Sequence, residues 1–480
     1  MMKRREFLKA AALAAGGMMA TGGCATAGGG AKGCAGGRRI TVAGTGCEFE
    51  REPLLRPFGF KGGYLTNIWQ SAAMIQSTSG KRGIGICTHS TLWSDAKVFT
   101  SNSEAGGNAL MFAMTAHALR VLKGQTFTDP VALNDALFEE VYAYGKKITG
   151  NPKLRQTFAL NALVGVDNAA WLLYAKENGI TGFDEMVPAA YKPALSQRHP
   201  KAASIPLMAY AIPIEEIKQA AQDGYFFMKI KIGQPGTQEE MLAKDMARVS
   251  AIHAALDGCR TPYTKSGKLP YYFDANGRYE KKETLLRLID HIKKIGAFEQ
   301  VALIEEPFDE EHAIDVHDVP VRLAADESAH TDKDAVERIQ MGYKAIALKA
   351  IAKTLSMTMK VAQTAHERGV PCFCADLTVN PILVEWNKCV AARLGSFPGM
   401  EGLGLLETNG HQNYRNWATM RSYHPYPDAP WSKTARGIFA LDADYYAKSG
   451  GIFAPLPHYE ALFPQAFLIT PNLPEAGVLL

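Results

Sequence analysis

The stretch "YFFMKIKIG" (residues 225–233) is a short apolar run that ends on Lys231 and gives way to glycine. Four later stretches repeat the plan: "LPYYFDANG" (269–277), "ALIEEPF" (302–308), "VRLAADES" (321–328) and "AIALKA" (345–350). They end on Asp274, Glu305, Asp326 and Lys349. Charge at the end of a buried strand is costly unless it is paired or used, and five in succession exceed what folding alone requires.

Outward from these, short strand-like runs and amphipathic stretches alternate from residue 205 to residue 407. "IPLMAYAIP" (205–213) comes first, and "PCFCADL" (371–377) and "GLGLLE" (402–407) come last. The stretches between include "TQEEMLAKDMARVSAIHAAL" (237–256), which opens with Thr237 and Glu240 at capping-box spacing. "KKETLLRLIDHIKKIG" (281–296), "TLSMTMKVAQTAHERG" (354–369) and "ILVEWNKCVAARLG" (382–395) follow the same pattern. Eight strands alternating with helices predict an α/β fold, a (β/α)8 barrel, with a doubly wound open sheet as the alternative. In a barrel the C-terminal strand ends converge on one mouth, so the five charged residues are expected to meet there.

Three carboxylates with no His or Cys among them are hard oxygen donors, suited to Mg²⁺, with Mn²⁺ as the second candidate. A solvated lysine, with a pKa near 10.4, stays protonated at working pH. Burial and nearby positive charge are expected to bring it down to working pH. In "KIK" the period of two puts Lys229 and Lys231 on one face, so Lys229 is expected to act on Lys231. Lys349, four strands further round, would face a substrate from the other side. Two opposed lysines can remove a proton on one face of a carbon and return one on the other. A cation on the neighbouring carboxylate would stabilise the enediolate.

The K-x-K pair, "DANG", "EEP", "ADES" and the strand-six lysine resemble, in type and order, the enolase superfamily. Within it they are most similar to the muconate-lactonising and dipeptide-epimerase subgroup of the mandelate racemase/muconate lactonizing enzyme family. The resemblance implies a modified TIM barrel with an N-terminal α+β capping domain. It makes Asp274, Glu305 and Asp326 the metal ligands, and Lys231 and Lys349 the acid/base pair. The mandelate racemase subgroup, with a His on strand seven, fits less well, since strand seven here reads "CFCADLT".

The implied reaction is racemisation or epimerisation next to a carboxylate, in an amino-acid derivative or dipeptide. Dehydration of a sugar acid or hydroxy acid, cycloisomerisation and a non-catalytic exported binding protein are the alternatives. Dipeptide epimerases carry Asp-x-Asp on strand eight, whereas this strand ends "GLLETNGHQNY" (404–414). Glu407 and Asp376 are therefore candidates to hold a substrate ammonium or hydroxyl. Lys229, Asn276 and Glu306 are candidates to support the site, and His330 is a further neighbour. The insertion "DGCRTPYTKSGKLP" (257–270) adds a loop before strand three.

Residues 39–198 read as an α+β unit. Strand-like "RITVAG" (39–44) and "IGICTH" (84–89) precede helical stretches at 108–124, 131–148 and 156–179. By resemblance this unit caps the barrel, and stretches 54–63 and 88–99 touch the substrate. The barrel spans 199–450, and 451–480 is a tail packing back on the cap. Residues 1–38 read as an address and tether: "KRREFLK" (3–9) resembles a twin-arginine export signal. Residues 25–38 are rich in Gly and Ala, and Cys24 is a candidate lipid-attachment cysteine. The expected location is the periplasm, with a lipid anchor as an added option.

Of the net charge of +4, residues 3–9 carry four cations against Glu6, so the remainder is almost neutral. Nothing points to nucleic acid. A hydrophobic share of 47% and a charged share of 21% describe a globular body, and no uninterrupted apolar run has the length of a membrane span. The cysteines lack the paired spacing of a zinc site, and Cys372 and Cys374 alternate along one strand as small apolar residues. The partner is expected to be a small carboxylate, and the resemblance implies a homo-oligomer.

Overall fold

The structure, a computed structural model, describes residues 37–61 and 63–464. The twin-arginine stretch, Cys24, most of the tether and the tail beyond residue 464 lie outside the described residues.

The chain begins with an antiparallel sheet of strands Ile40–Phe60, Gly63–Ser77 and Arg82–His89, with a short strand, Thr126–Phe127, on the far edge. The first two strands form a long hairpin whose register shifts between Pro53 and Phe58. The sequence reading saw only the start of this hairpin. "PLLRPFGFKGG" (53–63) is dense in Pro and Gly and reads as loop, yet cross-strand pairing carries it through. Helices Ala96–Leu122, Pro130–Thr149 and Gln156–Asn178 pack on the sheet.

The last of these helices lies directly against strand Arg82–His89. A Cβ at Gly85 would stand 2.1 Å from the Gly165 carbonyl oxygen, and one at Gly83 2.0 Å from that of Ala169. Only glycine permits this approach. By length and composition the helix could cross a membrane, but 94% of its apolar window is buried inside the protein. It is a core helix.

The second sheet has ten strands. Lys201–Ile205 and Leu207–Met208 are two halves of one strand, interrupted at Pro206. The first half pairs with Gly404–Glu407, the last parallel strand, and the second half with Met228–Lys231. The sheet thereby closes on itself as the (β/α)8 barrel. Strands two to eight are Met228–Lys231, Tyr271–Asp274, Val301–Glu305, Leu323–Ala325, Ala345–Leu348, Cys372–Cys374 and Gly404–Glu407. Strand one starts earlier than the expected residue 205, because the break at Pro206 divides it and "AYAIP" is not strand. The tenth strand, Ile438–Ala440, pairs antiparallel with Lys201–Ile205.

The capping box of helix Gln238–Leu256 is present, with Thr237 and Glu240 each serving the other's backbone N–H. Cap and barrel are joined by polar contacts. Asp167 accepts from the Ser356 N–H at 3.1 Å and from Ser356 Oγ, and Trp171 Nε1 donates to Ser356 Oγ at 2.9 Å. Ser356 lies in the first turn of the helix after strand six, Leu355–Glu367. At the far end His458 meets Glu50, and Arg82 donates to the Phe463 carbonyl. Among the described residues all cysteines are free, and Cys372 and Cys374 are buried within strand seven.

Candidate active site

The five charged residues read as strand ends, and Glu407 with them, each end a strand or follow one. Lys231, Asp274, Glu305 and Glu407 are the last residues of strands two, three, four and eight. Asp326 and Lys349 come directly after strands five and six. All are at most 5% exposed. Parallel neighbours in register, Lys231 beside Asp274 and Asp274 beside Glu305, bring the side chains together.

Lys229 is the hub. Its Nζ lies 2.9 Å from Asp274 Oδ2, 2.9 Å from Glu305 Oε1 and 3.2 Å from Glu407 Oε2. Lys231 reaches the same Asp274 oxygen and also donates to Asn276 Oδ1. Across the mouth, Lys349 pairs with Asp326 Oδ2. Tyr272 donates its hydroxyl to Glu305 Oε2.

Glu306 turns away from Glu305 through a left-handed backbone (φ 39°). It accepts from the Asp326 N–H at 2.6 Å and from the Ser328 N–H and hydroxyl. Asn276, also left-handed (φ 45°), bridges Lys231 to Glu327, donating to Glu327 Oε1 at 2.9 Å. Such conformations in non-glycine residues are strained and gather at functional sites. His330 pairs with Glu310 at 2.7 Å, outside the ring.

Glu407 does not present a free carboxylate. Its Oε2 accepts from Lys229 and from the Asp376 N–H at 2.8 Å, and its Oε1 accepts from Asn409 Nδ2 at 3.1 Å. Asp376 in turn accepts from the Asn409 N–H at 2.8 Å. The polar atom left over here is Asn409 Oδ1, buried and without a partner.

Sequence reasoning missed several participants. Glu327 stands inside the quoted "ADES", and Glu305, Asp326 and Glu327 each offer an oxygen within 4.8 Å of the others. Lys353, one helical turn past Lys349, donates to the Asp326 and Ala329 carbonyls and lies 3.3 Å from Asp326 Oδ1. The repeat of lysine four residues on was its only signal. From the cap come Lys61, 3.0 Å from Glu327 Oε1, and Trp93, whose ring lies 4.2 Å beneath the Lys349 ammonium. Phe60 sits 5.6 Å from the Lys231 ammonium. Phe58, Phe60, Ser90 and Trp93 roof a space of about 30 Å³ that Lys231, Lys349 and Asn409 line from below. That volume holds little more than a water, so a substrate enters only as the roof moves.

The electrostatics favour a cation. Seven buried acids (Asp274, Glu305, Glu306, Asp326, Glu327, Asp376, Glu407) face five lysines (Lys61, Lys229, Lys231, Lys349, Lys353), so carboxyl groups outnumber the cations that could pair with them. Burial pushes the Glu305 carboxyl up to about 7 against the pull of Lys229, and burial with Glu327 pushes Glu306 up to about 8. Burial and Glu407 raise Asp376 to about 7. Burial opposes ionisation of Asp274 as well, but Lys229 and Lys231 bring it down to about 2. Asp326, equally buried, is held well below the usual carboxylate range by Lys349 and Lys353.

Lys349 is raised: burial is the largest influence and works against its charge, but Asp326, Glu327 and Glu305 together outweigh it. Lys229 is raised in the same way by Asp274, Glu305 and Glu407. The lowering influence of burial and of Lys229, the kind of effect expected for a lysine at this mouth, is opposed here by the facing acids. Two buried oxygens, Asp326 Oδ1 and Glu327 Oε2, have no hydrogen-bond donor. An oxygen donor set with unmet acceptors, in which carboxyls outnumber lysines, fits a hard divalent cation. Glu305 and Asp326 belong to the donor set on either ground. The third donor differs: the resemblance names Asp274, which two lysines hold here, whereas proximity names Glu327.

Residues 214–420 match the family described as enolase C-terminal domain-like. No curated protein sequence matches the chain significantly. Among solved structures, a dipeptide epimerase from Cytophaga hutchinsonii, complexed with Mg and the dipeptide D-Ala-L-Val, superposes with a TM-score of 0.59 at 16% identity. The match covers 85% of this chain and 98% of that one. A mandelate racemase/muconate lactonizing protein from Herpetosiphon aurantiacus gives 0.58 at 16% identity, over 84% and 96%. An L-talarate dehydratase from a Polaromonas species, complexed with Mg and L-glucarate, gives 0.55 at 18% identity, over 84% and 92%. Similarity at these identities speaks for the fold, a capping domain on a barrel, and the family match is to the barrel itself. Residues 214–420 are thus similar to the enolase C-terminal domain-like family, and they carry the strand-end motifs in order.

Proposed function

We propose that the protein is a Mg²⁺-dependent racemase or epimerase that inverts a carbon next to a carboxylate, in an amino-acid derivative or dipeptide. The observation that carries the reading is the placement of Lys231 and Lys349. Lys231 ends strand two and Lys349 directly follows strand six, on opposite sides of an eight-stranded barrel, and both line one space. An α-carbon between them presents one face to each ammonium. One lysine, neutral, takes the α-proton, and the other, charged, returns a proton to the opposite face.

Trp93 and Phe60 cover the two lysines and keep water from exchanging the proton in transit. Asn276 and Asp274 orient Lys231, while Asp326 and Lys353 orient Lys349. Glu305, Asp326 and a third acid, Asp274 or Glu327, would hold the cation. Bound there, Mg²⁺ would supply positive charge to the substrate carboxylate and draw the charge of Asp326 away from Lys349. Export to the periplasm is proposed on the "KRREFLK" stretch alone.

The test is proton exchange. With Mg²⁺ in D₂O, deuterium should enter the α-position of at least one member of a panel of dipeptides, N-acyl amino acids and acid sugars. Lys349→Ala should abolish both exchange and inversion. A dehydration that survives Lys349→Ala would favour the one-lysine elimination reading, and no exchange with any carboxylate would sink both.

A further inference from the structure

A cavity of about 670 Å³ lies at the end of the barrel away from the mouth. Lys201, the first residue of strand one, lines it, and so do Phe226 and Leu269, each two residues ahead of strands two and three. Most of the remaining wall comes from two segments that the catalytic reading leaves unused. One is the insertion before strand three, residues 257–270, through Arg260 and Tyr263. The other is the chain from Pro430 to Ala440, through Lys433 and Arg436. None of the residues assigned to catalysis or to the cation lines this cavity.

The charge here is one-sided. Four exposed cations, Lys201, Arg260, Lys433 and Arg436, line the cavity, and no carboxylate stands among its described lining residues. Arg260 donates Nη1 to the Asp257 and Cys259 carbonyls at 2.6 and 2.9 Å, which steadies the guanidinium and leaves Nη2 for another acceptor. Lys433 pairs with Asp428, which is 87% exposed, and an ion pair so open to water holds weakly. The Lys201 ammonium lies 5.7 Å from the centre of the Tyr263 ring and pairs with no acid among the described residues, nor does Arg436. A cleft lined by one sign of charge concentrates counter-ions.

The backbone fixes one of these cations at a cost. Arg436 has φ 50°, a left-handed conformation that side chains other than glycine rarely adopt, and such outliers gather at functional positions. Gly224 packs against it so closely that a Cβ there would stand 2.6 Å from the Arg436 Cβ. Among the cations, Phe226, Leu269 and Ile438 form an apolar floor, and the Phe226 ring lies 4.9 Å from that of Tyr263.

We propose that this cavity binds an organic dianion, two carboxylate or phosphate groups joined by an apolar body. The cations come from two places, Lys201 and Arg260 around Tyr263, and Lys433 and Arg436 three residues apart. Each pair takes one anionic group, and the body between them covers Phe226 and Ile438. A monoanion would leave one pair of cations unmatched, and a small inorganic anion would leave the apolar floor wet. A cationic or zwitterionic ligand would bring an ammonium to a wall with no acid to receive it. The inference is independent of the catalytic reading, since it concerns a different cavity and needs no turnover.

The experiment is calorimetric titration of the intact chain, at low salt and without Mg²⁺, with octanedioate and with octane-1,8-diyl bisphosphate. These two probes separate the carboxylate source from the phosphate source. The comparison ligands are octanoate, which lacks the second charge, and butanedioate, which lacks most of the apolar body. At least one probe should bind saturably, and both comparison ligands should bind at least about tenfold more weakly than octanedioate or the bisphosphate, whichever binds. Binding should weaken at least about tenfold in Arg436→Gly and in Arg260→Ala. Glycine adopts the left-handed backbone without strain, and Arg260 is exposed, so both variants keep the fold. Binding should persist in Lys349→Ala, which removes a cation from the barrel mouth. No binding of either probe, equal binding of a comparison ligand, or binding lost in Lys349→Ala but kept in Arg436→Gly would each overturn the proposal. The last outcome would assign the ligand to the catalytic mouth.

Discussion

Asp167 couples the docking of the cap to pH. It lies on the cap's core helix, 3% exposed, and receives the Ser356 N–H and hydroxyl at the start of the barrel helix after strand six. Burial raises its carboxyl from 3.8 to about 7, although the Ser356 hydrogen bonds pull the other way. A raised acid holds its proton in the folded protein where the unfolded chain has released it. Its stabilising contribution is therefore fully present below about pH 4, falls between about 4 and 7, and is lost above about 7. A displacement of about three units at ~1.4 kcal/mol each gives a swing of about 4 kcal/mol across that window.

Asp167→Asn removes the titration while keeping the shape. Urea unfolding of both proteins from pH 4 to 8 should show the parent losing stability relative to the variant by about 2–4 kcal/mol as pH rises. Only the difference between the two curves is informative, because Glu385, also raised to about 7 by burial against the pull of Lys388, titrates in the same range. A difference that stays flat across the range, or grows in the opposite sense, would refute the burial argument for Asp167.

Mg²⁺ titration by calorimetry should show Asp274→Asn weakening binding by at least about tenfold and Glu327→Gln by less; the reverse ranking would assign the third donor position to Glu327. Thr237→Ala removes one half of the capping box on helix Gln238–Leu256 and should lower unfolding stability by about 1 kcal/mol. No loss in the urea midpoint would mean that the packing of this helix, and not its cap, holds its first turn.

Much of the barrel could be read without coordinates because its rules are local. A strand of four residues with a charged last residue, followed by a capped amphipathic helix, is written within some thirty residues of sequence. Thr237 with Glu240, and "KIK" with its period of two, belong to that local grammar. Features that depend on distant pairing were not legible. The strand Gly63–Ser77 went unseen because its partner, Ile40–Phe60, runs on through Pro and Gly, and only the cross-strand ladder keeps that segment extended. Strand one was placed too late, since nothing local to Pro206 tells that its two halves pair with different neighbours.

At the site the division is the same. The sequence by itself determined which charges stand at strand ends, and through them the hard-donor chemistry and the lysine pair. Only the tertiary structure decided how those charges share one another. Lys229 bridges Asp274, Glu305 and Glu407; Asp326 holds Lys349 charged; and Glu327 joins the acids. It also decided that Trp93 and Phe60 roof the two lysines. The physical reason is that periodicity encodes which way a side chain faces. What it meets there depends on barrel closure and on a cap docked from more than a hundred residues away.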